Sequence, residues 1–474
     1  MSTAFVAQFI IGLLGSANPG FWFDEAASLS IAKRSVPDIM RLLANKDAVN
    51  GLYYLFLHPW IALFGQSELS VRSLSALALA VAAAGFALLA QRFGLGWPAT
   101  TAFLVCPGLS WCATEARGVA FSVAAVVWSF VLLQRAVESE RWLIDFISFG
   151  VVLGLAICFQ LYAAALLPVH ALLVWFSGTW RKHYWHLITS WVVGFVVSSP
   201  VIIFGFWQRG QVSWIHNTPA GVLKQIRQMQ VFRGQVLNIS ARTGDIQRIV
   251  CYAAWAFVIV GIFFILKSGV RSALANSCGV GAAWFAIPTL LVALPTLIPG
   301  FDLDIYQLRY LTFATPGFCL LFAAAWNAVP GRRLIASCIA GLLAMGCVPT
   351  LVAQRQPNAK ESLRATAEAA AGCDTVVFTN TIARSVLVSY PDSFRNCTDI
   401  EAGFSAASAN AYWDLSRDEE YLGQGAHGST AVLYRSAAPE ELVNAGQALS
   451  ALGCTATADS FVAPRVSIAI WQCP

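Results

Sequence analysis

The chain reads as a polytopic α-helical membrane protein ending in a small α/β domain. Three observations predict this. Its 474 residues are 57% hydrophobic and only 12% charged, with mean hydropathy +0.64. A soluble globular chain carries about twice that charge. Apolar runs near the roughly 20 residues that cross a bilayer recur from the N-terminus to about Thr350. From Gln354 onward charge rises and apolar runs shorten to strand length. A membrane domain over 1–351 and a second domain over 352–474 are therefore expected.

Taken in order, about eleven spans are expected: 3–17, 70–91, 97–113, 118–137, 142–160, 162–178, 187–207, 248–267, 277–298, 310–329 and 334–351. The first is short, and no Lys or Arg precedes Lys33. A secretory signal would show a positive leading region, so 1–17 is read as a retained first helix, with residues upstream of it left open. The stretch 51–65 is apolar but short, and His58-Pro59 would break a spanning helix near its middle.

Basic loops decide the sidedness. If 51–65 lies along the surface and the N-terminus is cytoplasmic, Gln91-Arg92, Arg135 to Arg141, Arg181-Lys182-His183, Lys267 to Arg271 and Arg332-Arg333 all fall inside. If 51–65 spans, they all move outside. The expectation is a multi-pass protein of the cell membrane with an extracytoplasmic C-terminal domain. Its outer face gathers loop 18–69, the turn 114–118, loop 208–247, segment 299–309 and the tail.

Loop 18–69 reads as interfacial helices. Val36-Pro37-Asp38-Ile39-Met40-Arg41-Leu42-Leu43 has Pro near a helix start and apolar residues at helical spacing. Tyr53, Tyr54 and Trp60 suit the headgroup level. In the tail, helices are expected at 362–371 and 439–452, strands at 375–378 and 431–434, and a hairpin of 455–461 with 466–471 around Ala463-Pro464-Arg465.

Eight of 12 cysteines fall in the expected spans, and Cys373, Cys397, Cys454 and Cys473 lie in the tail. An even count in an exported domain suggests disulfides, with three connectivities allowed. The hairpin would face Cys454 with Cys473, which favours that pair and leaves Cys373 with Cys397. A zinc site is the weaker alternative, because no close Cys-x-x-Cys spacing exists.

Chemistry-bearing residues gather at the outer helix ends. Asp24 and Glu25 follow an aromatic cluster in a chain with only 25 acids. One carboxylate could take a proton from an attacking hydroxyl, and the pair also offers oxygen ligands to a divalent cation. The bland alternative is Asp24 as an N-cap. Glu115 and Arg117 lie at another outer end, where Arg suits a lipid phosphate or an internal carboxylate. Asp302, Asp304, Arg309 and Tyr310 crowd a third, and Gln160 and Tyr162 occupy a tight outer turn. Loop 208–247 carries an excess of Arg and Lys, which would attract a phosphate-bearing donor or contact anionic headgroups. No basic patch with interleaved aromatics suggests nucleic acid.

In order, "FWFDEAASL", "GLYYLFLHPWIALFGQSELSVRSLSAL", "TEARGVAFS" and "QLRYLTFATPG" resemble the GT-C membrane glycosyltransferases. The branch shared by protein O-mannosyltransferases and bacterial family 39 enzymes is the nearest likeness, over roughly residues 1–330. The resemblance implies inverting transfer of one sugar, mannose favoured, from a polyprenyl-phosphate carrier to a glycan, glycolipid or protein acceptor at the outer membrane face. It makes Asp24, beside Glu25, the catalytic base or acceptor-orienting group, and Arg117 the partner of the carrier phosphate. Arg309 and Tyr310 match the family's "RY" before a helix containing Pro316. No cofactor is implied, and a divalent metal stays open. The sequence departs from the family at Gly118-Val119-Ala120, where relatives carry a Tyr, and at Val49 to Tyr53. The rival reading is a non-catalytic membrane protein, such as a lipid or solute transporter or an assembly partner. Transporters show paired repeats and midplane charge, which this sequence lacks.

Overall fold

The computed structural model describes residues 1–234, 236, 238–268, 273–298, 304–328, 333–400, 402–415 and 424–474. The chain is mostly helical and ends in a small sheet. It divides into two compact units. One gathers Met1–Ser16, Asp47–Tyr53 and Arg72–Arg355, and the other Ala17–Lys46, Tyr54–Val71 and Gln356–Pro474.

Among the described residues, eight helices are long and apolar enough to cross a membrane: Glu68–Arg92, which enters the first unit at Arg72, Val119–Glu138, Trp142–Phe159, Trp180–Trp207, Ala241–Lys267, Ala273–Leu297, Leu308–Asn327 and Leu334–Ala353. Eleven spans were expected. The remaining three fall on shorter or broken helices. The first is Ser2–Leu13. The stretch 97–113 divides into Gly96–Val105 and Pro107–Ala113, because Pro107 has no N–H to continue a helix and restricts Cys106 to extended backbone. The stretch 162–178 opens as a tight 3₁₀ turn, Leu161–Leu166, before Leu167–Phe176.

Close helix packing in this unit rests on small residues. Val119–Glu138 packs on Trp142–Phe159, which packs on Trp180–Trp207. A Cβ on Gly150 would lie 2.5 Å from the Ser190 carbonyl, and one on Gly154 2.7 Å from the Gly194 carbonyl. Glycines four apart thus let two helix backbones approach where no hydrophobic effect drives association.

Pro59 does not end its helix. Gly51–Phe64 runs continuously through it, contrary to the break expected there. Tyr53 and Tyr54 are 1% and 0% exposed, so they are packed in protein rather than set at a headgroup surface. Tyr53 meets the Phe121 ring edge-on at 5.9 Å. Val36–Asn45 is amphipathic as its spacing suggests: Ile39, Leu42 and Leu43 are buried, and Ser35 caps its N-terminus through the Asp38 N–H.

In the second unit, a five-stranded sheet runs β2-β1-β3-β5-β4, with β1 Thr375–Phe378, β2 Thr398–Asp399, β3 Gly428–Arg435, β4 Thr455–Phe461 and β5 Val466–Cys473. β2, β1 and β3 are parallel, whereas β5 runs antiparallel to both β3 and β4. Helices Arg364–Ala370 and Glu440–Ala451 flank the sheet. Cys373 is joined to Cys397 and Cys454 to Cys473. The early segment 17–46 belongs to this unit for a packing reason. Ala26 and Ala27 of the Phe23–Ala32 helix share a buried cluster with Leu363, Ala367, Ala370 and Val386.

Candidate active site, in two groups of residues

The first group surrounds Asp24 and Glu25. Trp22 is extended, and the Phe23–Ala32 helix then places both acids in its first turn, where aligned peptide dipoles favour negative charge. Trp22, not Asp24, holds the N-cap position. Helical repeat turns the two carboxylates apart. Asp24 is partly exposed, and its backbone carbonyl accepts from Ser28 Oγ at 3.0 Å. Glu25 is fully buried, with Lys360 Nζ 3.3 Å from its Oε1.

The neighbours of that pair come from the tail. Arg465 stacks 4.1 Å above the Phe23 ring and reaches Glu361 Oε2 at 3.3 Å. Trp413 meets Phe23 at 5.4 Å. Burial pushes the Glu361 carboxyl above its ordinary range; Arg465 opposes this, and the charge of nearby Asp24 adds to the upward push.

The strand of chain leading to Asp24 is pinned as firmly. Tyr390 Oη accepts from the Phe21 N–H at 2.7 Å and donates to Glu68 Oε1 at 2.6 Å. Arg364 meets the same Glu68 oxygen at 2.7 Å and donates to the carbonyls of Ala17 and Asn18. The Leu363 N–H donates to the Phe21 carbonyl at 2.9 Å. A Cβ at Gly20 would collide with Ser362 Oγ, so glycine there lets the two chain segments touch.

The second group lies in the helical unit. Arg309 and Tyr310 sit on a 3₁₀ turn, Leu308–Ala314. The Tyr310 ring meets Tyr162 edge-on at 5.7 Å, and Tyr162 Oη donates to the Ile305 carbonyl at 3.0 Å. The Arg309 guanidinium is 5.4 Å from the Tyr310 ring and 6.0 Å from that of Trp214. Asp304 anchors the approach to this turn. Thr296 Oγ1 donates to it at 2.8 Å, and Asn217 donates to it and to the Tyr306 carbonyl. Burial works against the Asp304 charge, but these donors outweigh it and hold the carboxyl below its usual range.

Glu115 is buried and Arg117 partly exposed, just before the Val119–Glu138 helix. The Arg117 carbonyl accepts from Ser75 Oγ at 3.4 Å. Gly118 lies against Phe159, the residue before Gln160: a Cβ on it would sit 3.5 Å from that ring. Gln160, partly exposed, caps the Trp142–Phe159 helix. Thus turn 115–118 adjoins the Phe159 end of its neighbouring helix, and turn 160–162 adjoins 309–310. Asp302 falls outside the described residues.

Sequence reasoning missed Lys360, Glu361 and Arg465, which approach Phe23 to Glu25 from more than 330 positions away, and Tyr390, which approaches Phe21. It also passed over Arg72, fully buried and donating to the Ser16 carbonyl at 2.6 Å. Glu68 and Arg72 were within signal, since both lie in the "SELSVRSL" part of the family-like stretch. Among the described residues, no group of three or more His, Cys, Asp or Glu side chains is placed to hold a metal ion.

The sequence matches no protein-family model and no curated protein. Solved structures do match. Apo ArnT from Cupriavidus metallidurans superposes with TM-score 0.60 at 12% identity, covering 99% of this chain and 98% of that one. This chain shares the fold of ArnT. A second ArnT structure, with undecaprenyl phosphate bound, matches with TM-score 0.57 at 12% identity over 99% of this chain and 96% of that one. The match extends over the tail as well as the helical part.

Proposed function

We propose that this chain is a glycosyltransferase that takes a single sugar from a polyprenyl-phosphate carrier. The observation that carries this reading is the end-to-end likeness to ArnT, a protein with a structure bound to undecaprenyl phosphate. The orientation read from the basic loops, with the tail extracytoplasmic, belongs to the same proposal. Two disulfides in the tail suit an oxidising compartment.

An acceptor hydroxyl attacks the anomeric carbon of the donor. The bond from that carbon to the phosphate oxygen breaks, and the lipid phosphate leaves with the electron pair. Asp24 receives the hydroxyl proton, and one displacement inverts the anomeric centre. The leaving phosphate gains charge as the bond breaks, so cationic donors at that oxygen lower the barrier. Arg117 and Arg309 are assigned that work because a guanidinium offers forked donors matched to phosphate. Glu115, Gln160, Tyr162 and Tyr310 support their turns. Mannose is the favoured sugar, and the acceptor is an envelope glycan, lipid or protein.

The test is transfer in membranes containing the protein, using polyprenyl-phosphate mannose and a pentose counterpart, each labelled in the sugar. The reading expects label to reach an acceptor from one donor. Transfer from neither donor, together with labelled solute crossing the membrane, would favour the transporter alternative.

A further inference from the structure

We propose that Lys360, in the C-terminal unit, is a positioning residue for the Asp24 carboxylate, acting through Glu25. This rests on the reading of Asp24 as the base. It changes the role of Glu25 from a second reactive acid to an internal anchor.

The geometry carries the argument. Asp24 and Glu25 are consecutive in the first turn of Phe23–Ala32, the part of a helix with fewest internal hydrogen bonds. The N-cap residue Trp22 makes no side-chain capping hydrogen bond, and Lys360 anchors the turn through Glu25. Its ammonium is 3.3 Å from Glu25 Oε1, and the two side chains are 5% and 0% exposed. A carboxylate at that depth keeps its charge only with a cation beside it. Lys360 therefore fixes both the charge and the place of Glu25, and so the rotation of the turn that presents Asp24.

Adjacent contacts act in the same direction. Arg465 clamps Phe23 from one side, and Trp413 contacts the same ring. Glu361, next to Lys360, is held by Arg465. Phe23 and Glu25, the residues on either side of Asp24, are thus held by side chains of the tail. Displacing a reacting group by about 1 Å costs on the order of a hundredfold in rate, so an anchor this close to Asp24 governs turnover without touching substrate.

The experiment uses the full chain in lipid nanodiscs, with Lys360→Met, the double variant Glu25→Gln/Lys360→Met, and the control Arg395→Met. Arg395 is exposed on the same unit, in a surface pair with Asp392. Two quantities are read: kcat at saturating donor per folded protein, and hydrogen exchange of segment 18–32 relative to β3. Lys360→Met is expected to lower kcat on the order of a hundredfold, leave donor KM near wild type, and raise exchange in 18–32 without raising it in β3. The double variant, with no buried charge left unpaired, is expected to recover part of both losses. Wild-type kcat and exchange in Lys360→Met would overturn the proposal, as would a double variant no better than the single one. Should wild type transfer no sugar, the functional reading fails, while the exchange comparison still judges the anchor.

Discussion

Lys360 Nζ lies 3.3 Å from Glu25 Oε1, and neither side chain is more than 5% exposed. Two residues 335 positions apart thus form an ion pair deep inside one unit. The net worth of such a pair is small, because desolvation offsets attraction. Breaking it from one side is costly. Glu25→Gln removes the carboxylate that faces the buried ammonium, so a loss of about 3–5 kcal/mol is expected. A fall in the apparent melting temperature of the purified protein would register it; an unchanged value would mean the pair is replaceable.

The Cys454–Cys473 disulfide joins the start of β4 to the end of β5 and closes a loop of 19 residues. A loop of that size contributes about 3 kcal/mol by restricting the unfolded chain. Cys454→Ser/Cys473→Ser is expected to make the tail sensitive to protease at temperatures the parent survives. Limited proteolysis followed by mass spectrometry reads this directly.

Arg309 lies near the rings of Tyr310 and Trp214, and Arg117 stands at the head of its helix. If both face the donor phosphate, Arg309→Lys is not a conservative change, because an ammonium offers neither the fork nor the planar stacking surface. Arg117→Ala and Arg309→Lys are each expected to lower kcat/KM for the lipid donor at least tenfold, about 1.4 kcal/mol. Steady-state kinetics with varied donor checks this.

Acid sensitivity of the tail has an identifiable source in Glu441. Burial disfavours its charge, but the Arg435 N–H and guanidinium and the Thr379 hydroxyl donate to it, and together they hold its carboxyl below the ordinary 4.5. A depressed folded value means that the stabilisation is present above the unfolded value and is lost as pH falls through the folded one. Amide exchange in β3 is therefore expected to rise below about pH 4.5, and Glu441→Gln to remove that pH dependence.

The helical part of the fold was legible because lipid demands long apolar runs, and these survive in a single sequence. Its details were not. Cys106-Pro107 splits one expected span because a missing N–H interrupts the helix, whereas Pro59 is accommodated within its helix. Tyr53 and Tyr54 look like interfacial aromatics by type, yet their burial depends on neighbours that sequence spacing does not reveal. In the tail, β1, β3 and the β4–β5 hairpin carry strand-length apolar patterns, while the two-residue β2 has no pattern to detect. At the candidate site, Asp24 and Glu25 were visible as rare acids at an apolar boundary. Their different surroundings were not, since Lys360 and Arg465 are ordinary tail cations until folding brings them to residues 23–25.

In the proposed mechanism Asp24 is the base for sugar transfer from a polyprenyl-phosphate donor. Its most direct test is the single-turnover rate of Asp24→Asn in membranes with saturating labelled donor. Asparagine preserves the shape of the first turn and removes the proton acceptor. A loss of at least about a hundredfold is expected, the lower range of general-base catalysis, with donor binding retained. Transfer at the wild-type rate in Asp24→Asn would contradict it.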